Sequence, residues 1–536
     1  MIEYQFLGVF FLAFGITWLC IRLNLAFFPW FKSREKKPWR YRFDGQHTLP
    51  AISTKLPNVG GISAAIGISI AIIIAHSFNV YKTDFRWFLV PIWVFTLVGF
   101  VDDVLKWRRA EGMRENVRLW LIVLASLATT AVLYYRLGYD QAVRPFNYIS
   151  YFLLPAVWFI FFFIFNTSFT TVTVLSVGFS DGIDGLLGGL WFIASVTYSI
   201  VSWMTGAKIA LAISSAMVGG SLAFLFFNFP SSWVAGRPIS ERKAKVYVGE
   251  AGAAFIGAAF SMISMLTLTE LHWFIIGGVF VLEGVSALYQ AKLATPLFRK
   301  FLKLPGFPEG SFVPHIDFPL PFMATPFHCH LDMIGMGRLK IVKMLYSLAT
   351  VFGALGILIL VWKEFAVKVG FYIIGMALMF LVWNLGSMFK TVFVAPYETT
   401  ASGTRLGLFQ GRPMQFRNFK FYWLREPLEL TQEEIEPHLN MFSRMNLWHP
   451  LLLQDAEMMV AQLYYLAGKK EPSLAMFRRI PEKALRVRPE GWNIFTILSK
   501  ELEGENNPAS GAAATAASKN NGQDAYSCSA NKVKAS

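Results

Sequence analysis

The feature that most constrains this chain is a repeated alternation of long apolar runs with short polar islands. The run from Tyr151 to Val177 ends at Ser180-Asp181-Gly182-Ile183-Asp184-Gly185-Leu186, and a second run, Leu186 to Met204, follows at once. A bilayer crossing takes roughly 20 apolar residues. Candidate spans cover about 4–28, 62–78, 85–101, 119–135, 151–177, 186–204, 209–227, 251–268, 273–289, 341–361 and 369–389. The expected fold class is therefore all-α: a polytopic membrane helix bundle of about 10–11 transmembrane helices. Only 15% of the residues are charged and 55% are hydrophobic, whereas a soluble chain carries about 25% charge.

The net charge of +15 would suggest nucleic acid in a soluble protein. In a membrane chain it reflects cytoplasmic loops rich in Lys and Arg, so no nucleic-acid partner is expected. Cys20, Cys329 and Cys528 lie far apart, which excludes a dense disulfide framework and a cysteine-only zinc site. The N-terminal run lacks a basic region before it and reads as a first span, not a cleaved signal.

Basic residues fall on alternate connections. Lys32, Arg34, Lys36, Lys37, Arg40, Arg42 and Lys55 lie between the first two runs, and Lys106, Arg108, Arg109, Arg114 and Arg118 follow the third. Arg237, Arg242, Lys243 and Lys245 follow the seventh, and Lys292, Arg299, Lys300, Lys303, Arg338, Lys340 and Lys343 the ninth. The intervening loops carry little beyond Lys82, Arg136, Arg144 and Lys208. The positive-inside rule makes the odd connections cytoplasmic and puts the N-terminus outside. Four islands then share the cytoplasmic face: Asp102-Asp103 with Lys106, Asp181 to Asp184, Gly249-Glu250, and His328-Cys329-His330 with Asp332.

Residues 1–391 form the expected transmembrane domain. A cytoplasmic, helical extension is expected over 392–504 and a disordered tail, poor in apolar residues, over 505–536. Within the extension, Thr431 and Glu434 fit a capping box. Asp455 to Ala467, ended by Gly468, reads as an amphipathic helix, and Pro472 to Arg479 as its partner.

Carboxylates at a membrane boundary usually have a task. Asp102 and Asp103, with Lys106 one turn on, read either as a turn whose charges reach water or as a cation and phosphate site. Asp181 and Asp184 share a face at a three-residue spacing, with glycines that admit a ligand or only a tight interhelical turn. Glu250 is a candidate ligand, or a charge answering a helix dipole. His328 and His330, two apart, do not have the spacing of a helical zinc pair. Carboxylates and cations on one face suit an anionic substrate held through Mg²⁺ for phosphoryl transfer.

Together the islands resemble the polyprenyl-phosphate N-acetylhexosamine-1-phosphate transferases, and most closely their phospho-N-acetylmuramoyl-pentapeptide branch. Seven segments match in order: Pro57-Asn58-Val59-Gly60-Gly61, Gly99 to Lys106, Ser180 to Leu186, Phe227-Asn228-Phe229-Pro230, Val248 to Gly252, Glu283 to Gln290, and Pro326 to Asp332. The resemblance implies a bacterial inner-membrane enzyme with a cytoplasmic active site. Undecaprenyl phosphate would attack UDP-MurNAc-pentapeptide, forming lipid I and releasing UMP, with Mg²⁺ as cofactor. It implies Glu250 and Asp181 as metal ligands and Asp102 or Asp103 orienting or deprotonating the lipid phosphate. Lys106, His328 and His330 would neutralise phosphate charge. Asp181, Gly182, Asp184, Asn228 and Tyr247 would bind the nucleotide sugar. A homodimer, and wall-synthesis proteins docked on the extension, are further expected partners.

Several motif positions differ from the family's. Gly178 stands for an asparagine, Glu250 for an aspartate, Ala253 for a serine, Cys329 for the central histidine and Asp332 for a glutamate. They leave two alternatives open: a related phosphotransferase for another UDP-amino sugar, and a non-catalytic membrane scaffold.

Overall fold

The computed structural model describes residues 2–32, 57–109, 112–137, 155–229, 244–289, 322, 325–333, 336–362, 364–388, 391–400, 403–416, 419–438, 451–480, 485 and 489–504. Much of the first basic loop, Gln290, most of the insertion between Pro230 and Val246, the insertion over 301–321 and the 505–536 tail lie outside the described residues. The chain divides into two units, Met1–Met388 and Phe389–Ser536.

The first unit is a helix bundle. Among the described residues its helices are α1 Ile2–Phe27, α2 Gly60–Ser77, α3 Arg86–Arg109, α4 Glu115–Leu137, α5 Pro155–Phe179, α6 Leu186–Thr205, α7 Lys208–Asn228, α8 Gly249–Thr267, α9 Glu270–Ile276, α10 Gly278–Ala287, α11 Phe327–Met333, α12 Arg338–Val361 and α13 Phe365–Met388. Among the described residues ten helices are long and apolar enough to cross a membrane. The ninth expected span is broken: α9 and α10 meet at 86° across Gly277. Trp273 on α9 bridges the break by stacking on Phe280 of α10, 5.8 Å between ring centroids.

The broken pair is tied down at both of its ends. At its start, His272 meets Tyr372 near the beginning of α13. At its finish, Glu283 holds His328 beside Gly182. The crossings number ten among the described residues, or eleven if the bent pair is one span, and the four islands share one end.

Helix α8 is the axis of the bundle. It is buried along nearly its whole length and packs against α2, α3, α5, α6 and α7. Its sequence, Gly249-Glu250-Ala251-Gly252-Ala253-Ala254, then Gly257, Ala258 and Ala259, explains this: small side chains let apolar helices approach closely where lipid offers no hydrophobic drive. Many interior hydroxyls bond locally or across helices, as in Thr170 to Ser261 at 2.7 Å and Tyr198 to Ser264 at 2.7 Å.

The second unit corrects part of the expectation. The extension is not wholly helical: it opens with an antiparallel four-stranded sheet in the order β3-β2-β1-β4. The strands are β1 Thr391–Thr400, β2 Gly403–Phe416, β3 Phe419–Thr431 and the short β4 Leu451–Leu452. Phe393 lies opposite Phe409, and the two rings stack with Tyr422 packed at their edge. The expected helices follow the sheet. Thr431 and Glu434 form the capping box of α14, Gln432–Ile435, and α15 Leu453–Leu466 packs on α16 Lys470–Phe477. Among the described residues the last helix of this unit is α17 Pro489–Gly504.

Candidate active site

Four charged side chains interlock where α3, α4 and α8 meet. Lys106 reaches Asp102 one turn back at 2.9 Å and Glu250 at 2.7 Å. Arg118, in the first turns of α4, lies 3.1 Å from the other Glu250 oxygen and 3.5 Å from Asp102. Asp102 also accepts the backbone N–H of Met113. Two carboxylates and two cations thus answer one another at the bundle end. Glu250 and Arg118 remain partly open to solvent, while Asp102 is 1% exposed.

Asp103 points the other way and serves the fold. Its carboxylate accepts the N–H of Glu250 at 3.1 Å and of Ala251 at 3.0 Å, with the Asn58 amide at 3.4 Å. It caps α8 from a neighbouring helix, satisfying donors that every helix start leaves open. Gly249 makes this possible, because its φ is +72° and a Cβ there would lie 2.8 Å from an Asp103 oxygen.

The second island folds against the histidine segment. Asp181-Gly182-Ile183-Asp184-Gly185 links α5 to α6 and is braced from three sides. Tyr247 donates its hydroxyl to the Asp181 carbonyl at 2.6 Å. The Asn228 side-chain amide accepts the Gly185 N–H at 2.8 Å and donates to the Val246 carbonyl at 3.0 Å. Tyr346 of α12 donates to the Gly185 carbonyl. Burial raises the Asp184 carboxyl to about 6, with Arg338 pulling the other way. Burial, and then the Asp181 carboxylate, hold the Tyr247 phenol well above its usual range.

His328 sits directly on this loop: a Cβ at Gly182 would lie 1.9 Å from its Nε2. Behind the ring, Glu283 of α10 binds Nδ1 at 3.0 Å and accepts the His328 backbone N–H at 3.2 Å. The Cys329 sulfur lies 3.3 Å from Nε2. Burial disfavours the charged ring, but Cys329 and Glu283 outweigh it, so the imidazole pKa stands well above its usual value. His330 is instead buried against Phe322 and Phe327.

Except for His330, which packs against phenylalanines, the site residues expected from sequence therefore gather at one end of the bundle, in two groups. Asp102, Asp103, Lys106 and Glu250 form one; Asp181, Gly182, Asp184, Asn228, Tyr247 and His328 form the other. Arg118 and Glu283 were missing from the expected set of site residues. Arg118 reads in sequence as one more basic loop residue, and only the packing of α4 on α3 shows that it faces Glu250. Glu283 lay within a matching motif, but its partner is 45 positions away.

No three His, Cys, Asp or Glu side chains among the described residues converge as a metal cluster. Glu250 is met by Lys106 and Arg118, and the Asp103 oxygens are engaged by the α8 N-terminus. The residues present thus do not make a ready cage for a resident divalent ion. A small cavity of about 120 Å³ opens beside the charge network, lined by Phe95, Ile122, Val174 and Gly178 together with Arg118 and Glu250.

Comparison with known proteins agrees with this geometry. Residues 85–268 match the model of glycosyl transferase family 4. The phospho-N-acetylmuramoyl-pentapeptide-transferase of Desulforamulus reducens is 29% identical over 312 residues, covering 57% of this chain and 82% of that protein. The protein of the same name from Desulforudis audaxviator is 26% identical over 331 residues, covering 59% and 88%. That of Bacillus subtilis is 26% identical over 310 residues, covering 57% and 84%.

Proposed function

We propose that this divergent relative of the phospho-N-acetylmuramoyl-pentapeptide transferases is a glycosyl-1-phosphate transferase of peptidoglycan synthesis. It would move phospho-MurNAc-pentapeptide from its UDP carrier to undecaprenyl phosphate, giving lipid I and UMP, on the cytoplasmic face of the bacterial inner membrane. The observation that carries this reading is the meeting, at one bundle end, of a paired-cation network with a braced Asp-Gly loop and a buried, carboxylate-backed histidine.

Phosphoryl transfer is mostly positioning and charge neutralisation. Lys106 and Arg118 supply fixed positive charge beside Glu250. They would receive phosphate oxygens as the attacking lipid phosphate oxygen bonds to the sugar-linked phosphorus and the bond to UMP breaks. His328, kept charged by Glu283, offers a further cationic donor across the Gly182 loop. Asn228 and Tyr247 hold that loop still, a positioning role beside the nucleotide contact expected of them. Asp102 and Asp103 orient Lys106 and α8. Where Mg²⁺ accompanies the diphosphate, Glu250 or Asp181 would hold it, and it would supply further charge neutralisation. Mg²⁺ binds readily through one or two carboxylates plus substrate phosphates.

The mutual neutralisation of Glu250, Lys106 and Arg118 favours a second reading, a scaffold that binds nucleotide sugar without turnover. One experiment separates the two: UMP release by purified full-length protein with UDP-MurNAc-pentapeptide, undecaprenyl phosphate and Mg²⁺, each omitted in turn. Turnover that needs all three is expected. Nucleotide-sugar binding without UMP release would establish the scaffold, and turnover with another UDP-amino sugar alone would change the donor.

A further inference from the structure

The middle residue of the His-Cys-His segment is a cysteine, and the fold gives it two partners in series. Cys329 follows His328 in α11, and its sulfur lies 3.3 Å from the His328 Nε2. The other ring nitrogen, Nδ1, meets a Glu283 oxygen of α10 at 3.0 Å. Glu283 is fully buried and His328 is 2% exposed, so the bond between them is shielded from water. Cys329 is only half-buried and stands as a reduced thiol.

Sulfur, imidazole and carboxylate thus form one hydrogen-bonded line from nucleophile to base to orienting acid. With the shared proton on the ring, both nitrogens donate: Nδ1 to the carboxylate and Nε2 to a thiolate. Glu283 supports that arrangement, because its charge favours the imidazolium, and a cationic imidazole beside a sulfur favours the thiolate. Burial opposes a charged ring, yet the Cys329 sulfur and the Glu283 carboxylate together hold the His328 pKa well above its usual value. The set is not a metal cage. Both ring nitrogens are engaged, and no metal cluster forms among the described residues.

The thiolate is the nucleophilic form of cysteine, and accessible thiolates beside a cation are the ones that oxidants attack. The ring supplies the other need of that reaction. A thiolate attacking a hydroperoxide expels an oxygen anion that must take up a proton, and the nitrogen bearing one stands beside the sulfur.

We propose that Cys329 is a nucleophilic modification site for a small hydroperoxide, with His328 as proton donor and Glu283 as the residue that positions it. The sulfur bonds to one peroxide oxygen and is oxidised by two electrons to the sulfenic acid. The O–O bond breaks, and the leaving oxygen takes the Nε2 proton. Thiolate, imidazolium and hydrogen peroxide thus give sulfenic acid, neutral imidazole and water, with no further reactant. The step also removes the charge beside the Gly182 loop. Where that charge serves turnover, a consequence that rests on the transferase reading above, oxidation turns UMP release off.

The test uses reduced, full-length protein in detergent. The first arm alkylates it with iodoacetamide between pH 6 and 8.5 and follows Cys329 by peptide mass mapping. An ordinary thiol, with a pKa of about 8.5, loses about a hundredfold in rate from the upper pH to the lower. Cys329 should lose less than about fivefold, and Glu283→Gln should bring the steep loss back. A steep loss in the wild type overturns the proposal, as does a flat profile in Glu283→Gln. If that variant does not fold, the wild-type profile decides alone. The second arm adds hydrogen peroxide with dimedone, which traps sulfenic acid. Label on Cys329 is expected, and its absence there overturns the proposal. The third arm follows UMP release after peroxide. A loss that dithiothreitol reverses, and that Cys329→Ser does not show, is expected; release unchanged by peroxide overturns the link to turnover. Protein that releases no UMP before peroxide would fail the transferase reading, and the first two arms would still decide the site.

Discussion

Glu283 grips His328 by two kinds of bond at once, accepting its backbone N–H at 3.2 Å and meeting its ring Nδ1 at 3.0 Å. The carboxylate fixes both where the ring stands and which nitrogen faces away from Gly182. Glu283→Gln keeps the shape but removes the charge that supports the imidazolium. UMP release should fall by about 10²-fold, the scale of lost general acid–base or electrostatic support, with nucleotide-sugar binding less affected. Equal losses in kcat and binding would point to a local collapse instead.

The same pair gives a pH signature. The folded pKa of His328 lies above its unfolded value, which is about 6.5. Its contribution to stability is therefore complete below that unfolded value and is lost as pH rises through the raised folded one. Tm of the wild type should decline across that interval, and Glu283→Gln should flatten the decline. Parallel curves would show that the ring's charge is not coupled to folding.

Arg118 and Lys106 are predicted to be the phosphate-facing cations. Arg118→Ala or Lys106→Ala should each lower kcat/KM by about 10²–10³, the usual cost of removing one preorganised charge-stabilising donor. Arg118→Lys should recover part of the loss, since one ammonium cannot match the guanidinium fork. Glu250→Asp restores the family's residue and should hold or raise turnover. A dead Glu250→Asp would show that Lys106 and Arg118 demand the longer side chain.

Asp103→Asn should separate fold from chemistry. The amide can accept only on one side, leaving an NH₂ facing an α8 N–H. A loss of about 1–3 kcal/mol is expected for an unmade buried hydrogen bond, read as a lower Tm, together with loss of UMP release. An unchanged Tm would remove the capping role.

Gly182→Ala tests the contact between the two islands. A methyl there would lie 1.9 Å from His328 Nε2, so the ring or the loop has to move. Turnover should drop by about 10²-fold, on the scale set by small misplacements at a reacting centre, without a large change in Tm. Wild-type turnover would show that His328 does not work where it stands.

The bundle was largely legible from hydropathy because lipid leaves so few choices of backbone. Loop charge alone placed Asp102, Asp181, Glu250 and His328 at one end. Partners set by helix packing were not legible. Asp103 reads as half of a catalytic pair until α8 is seen to rest on it, and Arg118 reads as orientation charge until α4 turns it inward. The sheet was missed for a local reason. β1, β2 and β3 contain Pro396, Pro413 and Pro427, and their register slips between Pro396 and Glu398, between Arg405 and Gly407, between Leu408 and Phe409, and between Gly411 and Gln415. Alternation is broken at those bulges, so the period-two signal fades.

The cap that Asp103 places on α8 also sets an order of events during synthesis. Its partner N–H lies 147 residues downstream. At ribosomal speeds of about 5–20 residues per second, α3 waits roughly 7–30 s in the membrane before α8 exists to receive that carboxylate. Asp102 has a salt-bridge companion in Lys106 on its own helix, whereas the N–H donors that Asp103 caps belong to a helix not yet made. The nascent protein therefore holds that carboxylate without the helix start it caps while the chain between α3 and α8 is made, and α8 entering the bundle is the moment at which acceptor and donors meet.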